Sequence, residues 1–161
     1  MAQLSIRITP ALAVLGCLAL LTGGGAAAAE QIVRANAAQQ RASVKIRIDV
    51  GGTPVIVSLD NNETSRDFAS LLPLTLSLDD YAGTEKISQL PRRLSTRGAP
   101  AATAPVAGDL AYYAPWGNIA IFYKDGEHSP GLVRLGKIES CLGAFRQAGS
   151  RTATITLLGN D

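Results

Sequence analysis

The stretch YYAPWGNIAIFY, Tyr112 to Tyr123, gathers three of the chain's four tyrosines, its one tryptophan and one of its three phenylalanines. Aromatic rings supply large, rigid contact area, and their faces attract cations. A wall built from Tyr81, Tyr113, Trp116, Phe122 and Tyr123, with Arg92, Arg93 or Arg134 beside it, would suit a proline-containing peptide or a flat small molecule. The same rings could simply fill a core, and the Arg92–Arg93 pair also reads as ordinary solvated charge. Alternation places Tyr112 and Trp116 on one face and Tyr113 on the other, so at most half of them can line one pocket. The candidate ligand-binding residues are therefore Tyr81, Arg92, Tyr113, Trp116, Phe122 and Arg134, and no residue is assigned a catalytic role.

Other chemistries are poorly served. His128 is the only histidine and lies in the turn DGEHSPG, where an exposed turn residue is the simpler reading. One histidine and Cys141 do not make a usual zinc site, and a serine triad would need His128 on an ordered scaffold. No metal or cofactor is expected. Cys141 reads as a packed, inert thiol on the apolar side of a short helix, together with Leu142 and Phe145. Asp79 and Asp80 are neighbours that point apart if extended, which is not a carboxylate pair for acid–base work. VGGT joins strand to strand, so its glycines serve a hairpin and not a phosphate loop.

The elements that must position these residues follow from periodicity. In VKIRIDV, Val44, Ile46, Ile48 and Val50 alternate with Lys45, Arg47 and Asp49, which is a half-buried strand. TPVIVSL returns after Gly51–Gly52. In DNNETSRDFASLLP, Asp60 with Glu63 or Thr64 with Asp67 offers a capping box, and Phe68, Leu71 and Leu72 share a helical face before Pro73. LTLSL is a strand; DDYAGTEKISQLPRRLSTRG reads as a loop with one or two strand pieces, and APAATAPVAG as loop. DLAYYAP and NIAIFYKD are apolar on both faces, hence covered above and below. LVRLGKI is a strand, ESCLGAFRQ a short helix and TATITLL the closing strand. Seven or eight short strands at this density are best closed into a barrel, which removes exposed edges. The expected fold is a closed eight-stranded β-barrel capped by two short α-helices.

Ahead of it, Arg7, the apolar run ALAVLGCLALL and the small residues GGGAAAAE read as a secretory signal peptide over 1–29. The run is far shorter than the roughly 20 residues of a membrane span. Export to the periplasm or beyond is the resulting expectation. Cys17 in VLGC offers a rival lipoprotein reading, but the leucine before the glycine fits that signal poorly and the apolar run continues past the cysteine. Residues 30–42, rich in Ala and Gln, form a flexible lead-in, and the barrel domain occupies 43–161. Without the leader only Cys141 remains, so no intramolecular disulfide can form. The formal net charge of +2, lowered by one with loss of Arg7, gives no electrostatic footprint for nucleic acid.

SRDFASLLPLTLSLDDYAGTEKISQLPRRLS, AGDLAYYAPWGNIAIFYKD and GLVRLGKIE together resemble the bacterial cyclophilin-like domain family, over about Ser43 to Leu158. The resemblance implies the cyclophilin-type barrel, often behind a signal peptide and sometimes fused to flavodoxin-type domains. A redox partner protein is implied by that analogy alone. It does not imply an established activity. Prolyl isomerisation must lower a barrier of about 18–20 kcal/mol, and the Phe-His-Arg and Ser-Gln-Phe-Phe segments expected of true cyclophilins are missing. Two readings stand: a binding module for a peptide segment or small ligand, and a divergent prolyl isomerase using Arg92 or Arg134.

Overall fold

Alternation builds the frame. In the computed structural model, which describes residues 44–159, β1 (Lys45–Val50) and β2 (Thr53–Leu59) form a hairpin. Gly51 and Gly52 close it with φ of 55° and 82°, the positive values that a two-residue hairpin turn needs and that only glycine adopts without strain. Ile46, Ile48 and Val50 point inward opposite Val57, Val55 and Thr53. The leader expected over 1–29 and the lead-in over 30–42 lie outside the described residues.

The chain continues through α1 (Glu63–Ala69), β3 (Leu74–Tyr81), β4 (Glu85–Gln89), β5 (Ala102–Thr103), β6 (Asp109–Tyr113), β7 (Asn118–Phe122), β8 (Ser129–Pro130), β9 (Leu132–Ile138), a 3-10 helix (Leu142–Arg146) and β10 (Arg151–Leu157). Eight strands close an antiparallel barrel in the order β1-β10-β3-β4-β7-β6-β9-β2. The interior is apolar, with Ile46, Ile48, Val55, Val57, Leu78, Leu110, Ile119, Ile121, Leu135 and Ile155 all fully buried.

Two caps complete it, although only the first is an α-helix. Phe68 of α1 and Phe145 of the 3-10 helix join the interior cluster. The expected second α-helix tightens into a 3-10 turn after Cys141, whose φ of 59° turns the thiol outward, so it is exposed and not packed. The first cap also starts differently from either expected capping box. Asn62 is the N-cap: its Oδ1 accepts from the Ser65 N–H at 2.8 Å, and Ser65 Oγ donates to Leu135 O on β9 at 2.8 Å.

The segment read as mostly loop after LTLSL is instead a hairpin. β3 runs on through Asp79, Asp80 and Tyr81, turns over Ala82–Thr84 and returns as β4, with Tyr81 opposite Glu85. Ala82 takes φ 50° in that turn, an uncommon role for alanine that hides the turn from composition. β6 and β7 are buried on both faces. Inside they meet the core; outside, Ala111, Ala120, Phe122 and Leu132 form a second cluster. The small β5–β8 sheet pairs Ala102 with Pro130 and Thr103 with Ser129, and Ser129 shares a cavity lining with Phe122 and Leu132.

Candidate functional site

The outer face of β6 and β7 carries the candidate site. Cross-strand pairing sets Glu85 of β4 opposite Phe122 of β7, and Asn118 of β7 between Gln89 and Tyr113. Three loops rise around this patch: the β3–β4 turn with Tyr81, the β6–β7 turn with Trp116, and the 125–129 segment. Together they enclose a cavity of about 520 Å³, lined among others by Tyr81, Glu85, Tyr113, Trp116, Asn118, Phe122, Asp125, Glu127 and Leu132. That volume lies within the range of small-molecule sites.

Trp116 organises the aromatic side. Its ring meets Tyr81 edge-on at 5.4 Å between centroids and 89°, and Tyr113 at 5.5 Å and 77°. Such contacts contribute about 0.5–1.5 kcal/mol each. Trp116 nevertheless keeps 49% of its surface exposed and Tyr81 43%. The turn is held from behind by Arg93, which donates to the carbonyls of Ala114 at 2.6 Å and Pro115 at 3.4 Å. Arg93→Ala is expected to cost about 1 kcal/mol of stability through these charge-assisted bonds, and to shift the Trp116 emission maximum of the folded protein. An unchanged emission spectrum would show that the turn does not depend on Arg93.

The parity argument fails at this turn. β6 stops at Tyr113, and Gly117, with φ 75°, donates its N–H to Tyr113 O at 2.8 Å to close the turn. Tyr112 goes inside, 1% exposed, its hydroxyl accepting from the Leu94 N–H at 3.1 Å. Trp116 therefore joins Tyr113 outside, and four of the six candidates, Tyr81, Tyr113, Trp116 and Phe122, line one cavity. Tyr123 is on the core side, its hydroxyl donating to Asp80 at 3.2 Å, and burial pushes its phenol pKa up.

Arg92 and Arg134 are elsewhere. Arg92 forks onto the Asp67 carboxylate at 2.6 and 3.0 Å and also reaches Ser70 Oγ, tying the segment after β4 to α1. These bonds hold Asp67 below the usual carboxylate range. Arg134 pairs with Asp60 at 2.7 Å. Neither arginine contributes to the cavity lining, and every charged residue in that lining is acidic: Glu85, Asp125 and Glu127.

Glu85 was missed from sequence, where it looked like one more polar residue in a loop. Burial alone raises its carboxyl pKa from the ordinary 4.5 to about 7. Asp125 is already engaged, accepting from the Ala107 N–H at 2.8 Å. Asn118 was missed too; it is 2% exposed, its Nδ2 donates to Ile119 O at 3.1 Å, and its Oδ1 has no partner among the described residues. A lone Glu after a short turn and an Asn at a strand start carry no pattern that would have singled them out.

On the opposite face of β4 the neighbouring residue is sealed in. Lys86 is 1% exposed, donating to Gly149 O at 2.6 Å and pairing with Asp80 at 2.9 Å. Asp80 also accepts from the Gly149 N–H, and the lysine beside it, more than any other contact, lowers its pKa.

Residues 48–156 match the model of the family described as cyclophilin-like. No curated protein matches the sequence. The fold is similar to the solution structure of a hypothetical protein from Archaeoglobus fulgidus, with a TM-score of 0.58 and 19% identity over 71% of this chain and 94% of that one. At that identity the likeness concerns the fold alone.

Proposed function

The chain belongs to the cyclophilin-like family, and from that premise we propose that it is a binding barrel which holds a small ligand or peptide segment in the cavity around Trp116. The observation that carries this reading is the Tyr81–Trp116–Tyr113 cluster, with Tyr81 and Trp116 nearly half exposed, set along a cavity of about 520 Å³. Rings that only filled a core would be covered. The isomerase alternative draws no support from the lining, since the two arginines it needs face carboxylates away from the cavity. Export remains part of the proposal and rests on the leader sequence alone.

The test is a fragment and peptide screen on the full chain, read by the emission of Trp116, the chain's only tryptophan. A ligand that changes this emission should lose about tenfold or more in affinity on Tyr113→Ala, the scale of one good aromatic contact, and be unaffected by Arg92→Ala. Prolyl cis/trans catalysis abolished by Arg92→Ala or Arg134→Ala would overturn the binding reading in favour of the isomerase.

A further inference from the structure

We infer that the cavity selects a small organic cation bearing at least one N–H, an alkylammonium or guanidinium compound, seated against Trp116 with its charge toward Glu85 and Asn118. This rests on the ligand-binding reading above and adds the chemical class. The charged groups in the lining have one sign, and the ring faces of Trp116, Tyr81 and Tyr113 present negative potential as well. An anion would meet like charge from all three carboxylates of the lining.

A neutral ligand with an N–H or O–H could answer Asn118, but it would leave the Glu85 carboxylate without a counter-charge. Glu85 projects from the outer face of β4 opposite Phe122, and no described side chain or backbone N–H bonds its carboxylate. Asn118 is almost completely buried in the lining with its Nδ2 already engaged, so what remains is an acceptor, Oδ1, without a donor. A cation with an N–H answers both, and the rings supply contact area for its apolar part. A quaternary ammonium would satisfy the charge but not the acceptor.

The same geometry links binding to pH. Asp125, Glu127 and the phenols of Tyr81 and Tyr113 line the cavity with Glu85, Tyr123 lies close enough to sense its charge, and Lys86 is turned into the barrel. A bound cation favours the ionised carboxylate, so affinity should rise as pH climbs through about 7 and level off above.

Calorimetry on the full chain at pH 8 with benzylammonium, benzyltrimethylammonium, benzyl alcohol and benzoate tests this directly. Benzylammonium should bind at least about tenfold more tightly than each of the others, a difference of about 1.4 kcal/mol. Glu85→Gln, and wild type at pH 5.5, should lose the preference over benzyl alcohol. Equal binding of benzylammonium and benzyl alcohol, a preference for benzoate, or a preference that survives in folded Glu85→Gln would overturn the inference; equal binding of the quaternary ion would overturn its N–H requirement. Benzyl alcohol binding that depends on Tyr113 but shows no cation preference would leave the binding reading standing while this one falls. If none of the four binds, the cation inference falls, and the fragment screen decides the binding reading separately.

Discussion

Lys86→Ala is expected to lower the unfolding free energy by about 3–5 kcal/mol, while Lys86→Met stays within about 1.5 kcal/mol of wild type. Lys86 is a lysine with 1% of its surface exposed, and its stem packs among side chains that face the barrel interior. Alanine removes the stem and leaves a hole, deprives Gly149 O of its short bond and takes from Asp80 its main partner. Methionine refills most of the volume and no longer has a charge to keep out of water. Urea unfolding of both variants checks this; a methionine variant as damaged as the alanine one would mean that the ion pair, and not the packing, dominates.

The sign of the accompanying pH dependence is fixed by Asp80. Its folded pKa is lowered, so the stability it contributes is present above the ordinary carboxylate pKa and lost as pH falls through the folded value. Loss of Lys86 should flatten that part of the acid limb.

Glu85→Gln is expected to do the opposite and stabilise the protein, by about 1–3 kcal/mol at pH 8 once screening at the open cavity mouth is discounted. The unfolded carboxyl ionises near 4.5 and the folded one at about 7. Between those values the folded state holds the extra proton, so the wild type loses stability as pH rises from about 4.5 to about 7 and then levels off. Glutamine removes that slope. The two proteins should be equally stable near pH 4, separate progressively between about pH 4.5 and 7, and run parallel above that in paired urea titrations, and a constant difference from pH 4 upward would remove burial of the charge as its cause. A residue whose removal strengthens the fold and weakens a ligand is what a site built for binding and not for stability contains.

The frame was legible because its signal is repeated. Val44 to Val50 and Thr53 to Leu59 alternate, Gly51–Gly52 marks the turn, and each further strand repeats the same contrast, so one ambiguous segment cannot hide a barrel. Places where the reading went astray are single backbone choices. Ala82 at φ 50° made a hairpin look like a loop, Gly117 at φ 75° cancelled the parity that separated Trp116 from Tyr113, and Cys141 at φ 59° turned a presumed core thiol outward. Side-chain type could name the aromatic wall but not its charged company. Arg92 and Arg134 were chosen because cations suit rings, whereas the tertiary structure matches them to Asp67 and Asp60 and puts Glu85 and Asn118 beside the rings.

Closure of the barrel also limits how a peptide could be read. Every barrel strand already has a hydrogen-bonded neighbour on both sides, so a visiting chain finds no barrel strand with a wholly free edge to extend by β-addition. On the proposed binding reading, discrimination would come from side chains on the turns at 82–84 and 114–117 and on the 125–129 segment. Those turns can diverge without disturbing the ladder beneath them, which makes this a scaffold whose preference could be rewritten by loop exchange while its foldability is inherited unchanged.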